Sequence, residues 1–331
     1  MRAPRFEDAG LNIMKALRFN AGELEIRDVP VPVPGSGETL IKVSTAGICN
    51  TDVEILKGYM KFNGVPGHEF VGVVESSPNK KQIGKRVVGE INCACGECCW
   101  CNAGMERHCF QRDVLGILKR DGAFAEYLTL PAGNLRIVPD SLPDEKAVFV
   151  EPLAACFEII EQVEFPPDAL VCVIGDGKLG LLAARVLRDK AFNLTLIGKH
   201  ERNMAIASKK FKVEAITEDS IGDEQYDVVV ECSGKPSGLE LATRLVRPQG
   251  RIVLKSTYHE KPSIDVSLWV VNEITIVGSR CGPFDPALEA LESGEINPSP
   301  LIDGIFPFNQ IAEAFDAAQN PGALKCLVKF D

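Results

Sequence analysis

Cys95, Cys98, Cys101 and Cys109 stand in the spacing CxxCxxCxxxxxxxC within the stretch CACGECCWCNAGMERHC. Four thiolates so spaced suit one tetrahedral zinc, because CxxC pairs present two sulfurs from one tight turn and the longer return brings the last. A disulfide-bonded loop is the other reading. It fits poorly with twelve cysteines in a 331-residue chain whose first residues lack the apolar core of a signal peptide. Cys93 and Cys99 fall outside the register and read as bystanders. Three more segments offer metal donors: Cys49 in GICNTD, His68 and Glu69 in VPGHEFVGVV, and Glu151 in FVEPLAAC. A Cys, a His and a Glu leave one tetrahedral position open, which separates a catalytic zinc from a structural one.

These residues need elements to hold them. LIKVSTAGIC alternates apolar and polar residues and reads as a strand delivering Cys49 to a turn. His68 and Glu69 precede an apolar run, and Glu151 precedes Pro152 and a helical stretch. In LVCVIGDGKLGLLAARVL an apolar strand breaks at Gly175, Gly177 and Gly180 before an apolar-periodic helix. There Gly175–Gly180 make GxGxxG in its required setting, with Lys178 and Leu179 opening the helix. Glycines permit the turn and close approach of the backbone, and a helix N-terminus favours a pyrophosphate. The chain up to about residue 150 is rich in strand and Gly/Pro turn signals, as in VPVPGSGE. From Glu151 to Cys281 strands and helices alternate: LVCVI, LTLI, EAI, DVVVEC, RIVLKS and EITIVGS are the strands, predicting a parallel sheet with helices on both faces. Two amphipathic segments, DPALEALESG and NQIAEAFDAAQN, and a strand, KCLVKF, follow.

In this order the motifs (cysteine, GHE, four-cysteine lobe, EP, GxGxxG) resemble the zinc-dependent medium-chain dehydrogenase/reductase family, the alcohol dehydrogenase superfamily, over nearly the whole chain from Met14. The resemblance implies an α/β protein: a GroES-like β-rich catalytic domain (1–152, with the zinc lobe at 93–109), a Rossmann doubly wound parallel-sheet cofactor domain (153–282) and a C-terminal return to the catalytic domain (283–331). It implies two zincs per chain. Cys49, His68 and Glu151 match the catalytic ligands, with Glu151 where liver-type alcohol dehydrogenases have cysteine and where sorbitol and glucose dehydrogenases resemble this chain. Glu69 matches a glutamate beside the zinc that serves as an outer neighbour or an exchangeable ligand. Thr51 matches the relay hydroxyl that passes the alcohol proton outward; an N-cap role for the helix TDVEILKG is its structural alternative, which Asp52 could serve equally.

Cofactor choice turns on the end of the second cofactor-domain strand, LTLIGKHERN. An acid there binds the adenosine ribose in NAD enzymes, and this chain has Gly198, followed by Lys199, His200 and Arg202. The expectation is NADP(H), with NAD(H) possible. Glu54 stands where many relatives carry a histidine, five residues after the cysteine, and resembles the glucose-dehydrogenase-like branch. It raises the prior for a polyhydroxylated substrate, since carboxylates bind sugar hydroxyls well. An alcohol, polyol or sugar substrate is therefore expected, by hydride transfer to nicotinamide. Two rivals remain: a zinc-free quinone-reductase-like enzyme and a non-enzymatic, crystallin-like relative.

The net charge of −10 argues against a nucleic-acid partner, and no run approaches the ~20 apolar residues of a membrane span. Residues 1–13 read as a leader, and a cytoplasmic location is expected. Cys156, Cys172, Cys232, Cys281 and Cys326 read as packing residues. His108 falls inside the lobe, where four cysteines already fill the site, and His200 and His259 lack a ligand partner in the pattern. Trp269, in SLWVVNEITIVGS, reads as the mark of a subunit contact in a homodimer or homotetramer.

Overall fold

The computed structural model describes residues 12–20, 22–190, 193–222, 224–258 and 261–331. The greater part of the leader and His259 lie outside these residues.

Two sheets organise the chain. A seven-stranded sheet is built around Glu38–Gly47, which pairs antiparallel with Glu69–Ser76, Tyr127–Pro131 and Lys325–Lys329. The last of these runs parallel to Ile302–Pro307, so the sheet contains strands from both ends of the chain. The alternation read in LIKVSTAGIC is real: Ile41, Val43 and Ala46 are buried in one apolar core with Phe70, Val87 and Leu128. A small sheet of Asn92–Cys93, Asp113–Leu115 and Lys119–Arg120 carries the cysteine lobe.

The second sheet is wholly parallel. Its strands run Glu214–Thr217, Asn193–Gly198, Leu170–Ile174, Tyr226–Glu231, Val246–Leu254, Thr275–Gly278 in space, the doubly wound order. Leu170–Ile174 lies centrally, and buried residues Val171, Cys172, Val173 and Ile174 explain its unbroken apolar run. Lys178–Leu187, Pro236–Leu245 and Val150–Gln162 cover its faces, with Leu181, Leu182, Leu239 and Ile159 buried. A ligand for such a sheet belongs at the carboxyl ends of its strands, where the order reverses.

Two local readings change. The first strand starts at Ile13, one residue before Met14. Helix Asn50–Leu56 has Cys49 as its N-cap, so Thr51 lies inside the first turn and is not the cap.

Candidate active site

Strand Glu38–Gly47 ends two residues before Cys49, and Glu69 opens the neighbouring strand. Their pairing places Gly47 opposite Glu69, so the two segments carrying donors meet at one sheet end. Side chains from Cys49, His68 and Glu69 supply donor atoms within 4.8 Å of one another.

Asp52 organises this group. Its carboxylate accepts hydrogen bonds from Cys49 N at 2.8 Å and Gly67 N at 3.2 Å, fixing the turns on both sides. It also lies 3.2 Å from His68 Nδ1, which directs Nε2 to the other donors. Alignment at Nδ1 falls short of a strict hydrogen bond, though the carboxylate faces the ring at this distance. Burial pushes the imidazole pKa down, and the facing Asp52 carboxylate more than offsets it, leaving it well raised. Thr51 Oγ1 lies 3.7 Å from Cys49 Sγ.

Glu69 is fully buried, and Lys325, from the last strand, pairs with its Oε2. Burial works against the Lys325 charge; the Glu69 carboxylate outweighs it and raises the ammonium pKa. Glu69 Oε1 is buried without a partner. An orphaned carboxylate oxygen beside a thiol and an imidazole is what a metal-binding centre requires, since a buried acceptor left empty costs about 1–3 kcal/mol. Glu151, on Val150–Gln162, lies in the same cavity but outside the compact donor group. Burial pushes its carboxyl up to about 7, against the charge of His68.

The lobe forms a second donor group. Sulfur separations are 3.5 Å for Cys98–Cys101, 3.6 Å for Cys95–Cys109, 3.7 Å for Cys98–Cys109 and 3.9 Å for Cys95–Cys101. Four sulfurs at 2.3 Å from one zinc stand about 3.8 Å apart, so these residues fit the ion. Cys95 N points to Cys109 Sγ at 3.5 Å. Cys93 is buried near Ile91 O and Cys99 is exposed; neither joins the group.

At the other wall, Gly175 has φ +109°, and a side chain there would meet the backbone of Cys232 and Ser233. A Cβ on Gly180 would fall onto the carbonyl of Gly175, whereas Gly177 faces open space. The outer glycines thus serve turn and packing, and the middle one leaves room for an anion. Lys178 Nζ turns back to Ile48 O, at 3.1 Å, next to Cys49. Gly177, Lys178, Leu179, Cys49, Thr51, Glu54, His68 and Glu151 line one cavity of about 770 Å³, within the range of ligand sites.

Residues 35–140 match the family described as Alcohol dehydrogenase GroES-like domain, and residues 180–293 match Zinc-binding dehydrogenase. An L-threonine 3-dehydrogenase of Pyrococcus abyssi is 30% identical over 88% of this chain and 91% of its own. The chain belongs to the zinc-dependent medium-chain dehydrogenase family. The dehydrogenase is also 27% identical to a sorbitol dehydrogenase of Halalkalibacterium halodurans, over 95% of this chain and 99% of the relative. In structure it is similar to an Escherichia coli alcohol dehydrogenase complexed with NADH (TM-score 0.87, 28% identity, 96% and 99% of the chains). A zinc-binding dehydrogenase of Sinorhizobium meliloti bound to NADP gives a TM-score of 0.85 at 28% identity, again over 96% and 99%. It is an oxidoreductase that uses zinc and a nicotinamide cofactor on CH–OH groups. No helix among the described residues is long and apolar enough to cross a membrane.

The residues after the second strand are arranged differently from their sequence reading. Arg202 is ion-paired with Asp303, and His200 Nδ1 lies 2.9 Å from Asp176 Oδ1. Asp176 Oδ2 accepts from Lys199 N at 3.0 Å and His200 N at 2.6 Å, so this acid from the glycine loop supports the turn. Lys199 is exposed and has no ion-pair partner among the described residues. Sequence pattern reads Asp52 only as a possible helix cap and does not single out Asp176, although both stand inside motifs that it does single out. Lys325 had no signal at all, being 256 residues from its partner.

Proposed function

We propose that this dehydrogenase oxidises an alcohol or polyol CH–OH with NADP, at a catalytic zinc held by Cys49, His68 and a carboxylate. Glu69 contributes the oxygen in the compact donor group, and Glu151 is the second carboxylate of the same cavity, the ligand that the family resemblance names. Cys95, Cys98, Cys101 and Cys109 hold a structural zinc. The observation that carries this reading is the pairing of an open three-donor group with the glycine loop across one cavity.

Bound zinc supplies Lewis acidity, lowering the pKa of a substrate hydroxyl. A nicotinamide cofactor held at Gly177, Lys178 and Leu179 would supply the hydride acceptor for the carbinol carbon. Thr51 Oγ1, on the cavity wall near Cys49, takes the hydroxyl proton outward. Asp52 fixes the His68 ring, and Lys325 holds Glu69 in place. Leu179 and Ile91 exclude water from the reacting carbon.

NADP is favoured because Gly198 offers no carboxylate to the adenosine ribose, the oxygens of Asp176 are already engaged, and Lys199 is exposed beside them. Arg202 is committed to Asp303. An aldose substrate is the second reading, supported by Glu54, although Lys57 pairs with it at 2.8 Å. The units divide near residues 152 and 282, with helix Val150–Gln162 crossing the first boundary. Two copies pair through the exposed edge near Val270 and Val271. None of the twelve cysteines is disulfide-bonded, which suits the reducing cytoplasm.

Zinc per chain in the wild type and in Cys49→Ser tests the core of this reading. Two falling to one is expected. One zinc in both proteins would sink the catalytic centre and favour a zinc-free reductase.

A further inference from the structure

One wall of the cavity comes from the segment leaving the zinc lobe and carries Arg112, Val114, Ile117 and Leu118. The same cavity is lined by Glu54, whose charge is already met by Lys57 at 2.8 Å. Arg112 has no carboxylate within ion-pair distance among the described residues. Nη1 donates to Cys109 O at 2.9 Å, and Nε is buried without an acceptor. Guanidinium carries five N–H donors in a rigid fork, and only one is used here among the described residues. Among the other cations of the cavity, Lys235 is exposed and has no side-chain partner among the described residues, while Lys178 and Lys255 are engaged. Lys178 donates to Ile48 O, and Lys255 is held by three neutral oxygens, those of Ala155, Ser279 and Arg280.

Nη2 makes no hydrogen bond among the described residues, so the guanidinium on this wall is available to a partner that is not part of the chain. The fork geometry matches a carboxylate or a phosphate two-point contact, while three apolar neighbours lower the local dielectric and strengthen that contact. We propose that the substrate is an anionic polyol, bearing a carboxylate or a phosphate that Arg112 receives while another of its hydroxyls faces the Cys49 and His68 side. This inference rests on the reading of the site as a polyol oxidoreductase and narrows it to charged substrates. Arg112 then selects substrate by binding, and hydride transfer is unaltered in kind.

Calorimetric titration tests this directly. An uncharged hexitol, a hexonate and a hexitol phosphate are titrated into the wild-type enzyme with reduced cofactor, and each is also tried as a substrate with oxidised cofactor. At least one anion is expected to bind about ten- to a hundredfold more tightly than the hexitol, the span of one charge-assisted fork. Whether the hexonate or the phosphate gains more identifies the group. Arg112→Met should remove that advantage, and Arg112→Lys should keep part of it. Arg112→Gln stands in if the Met variant loses its zinc or does not fold. Equal binding of all three ligands to the wild type overturns the proposal, as does an Arg112→Met loss of the same size for the hexitol. If the hexitol is oxidised with no anion advantage, the polyol reading stands and the anion site falls. If an anion binds through Arg112 and no ligand is oxidised, the reverse holds.

Discussion

Asp176 fills the space that a side chain at position 198 would need: a Cβ on Gly198 would lie 2.7 Å from Asp176 Cβ and 2.9 Å from its Oδ2. The familiar exchange for moving such enzymes to NAD, an acid at the end of the second strand, therefore sets two carboxylates against each other in this chain. Gly198→Asp alone is expected to weaken both cofactors, whereas Asp176→Ala with Gly198→Asp should move the kcat/KM ratio toward NAD by about tenfold or more, roughly 1.4 kcal/mol. Steady-state kinetics with both cofactors decide it; a clean switch by the single variant would show that Asp176 is no obstacle. The GxGxxG pattern was legible because glycine spacing reflects backbone sterics. The load on Asp176 was not, because a variable position in the motif becomes structural only when the next strand is laid beside it.

At the level of elements, apolar runs such as LVCVI and DVVVEC predicted strands that exist, since full burial on both faces demands continuous hydrophobicity. Helix entry was less legible. Cys49 is an unusual N-cap, and the cap works because Asp52 reaches back to its N–H. How the lobe is fastened was also hidden: Arg107 donates to Glu158 at 2.6 Å and to Cys281 O at 2.7 Å, joining the lobe to a helix of the parallel sheet. A similar tie anchors the central strand. Glu38 accepts from Gly35 N at 2.9 Å and pairs with Arg120 at 2.7 Å. Burial pushes its carboxyl up, but these two donors outweigh it and leave the pKa lowered. A lowered folded pKa means that the stabilisation is present above the ordinary carboxylate range and is lost as pH falls through it. Glu38→Gln should thus cost about 1–2 kcal/mol at pH 7 and clearly less near pH 3, as pH falls through the lowered pKa. Urea midpoints at the two pH values measure this, and an equal deficit at both would refute the linkage.

At the level of the whole molecule, helix Val266–Val271 and edge strand Thr275–Gly278 leave Val270 and Val271 more than 70% exposed, at 75% and 78%. Trp269, read from sequence as the contact marker, turns inward and donates to Thr243 Oγ1 at 3.1 Å. Its neighbours are the residues that a second copy would cover. Val270→Glu with Val271→Glu is expected to halve the mass seen by sedimentation; an unchanged mass would remove this face from the assembly. The mixed sheet has a consequence for synthesis. Glu38–Gly47 waits for Lys325–Lys329, and Glu69 for Lys325, so a ribosome-bound chain finishes its central, nucleotide-type sheet while the catalytic sheet still has an open edge. The half encoded first is completed last, and in the interval that edge is open to pairing with a stranger.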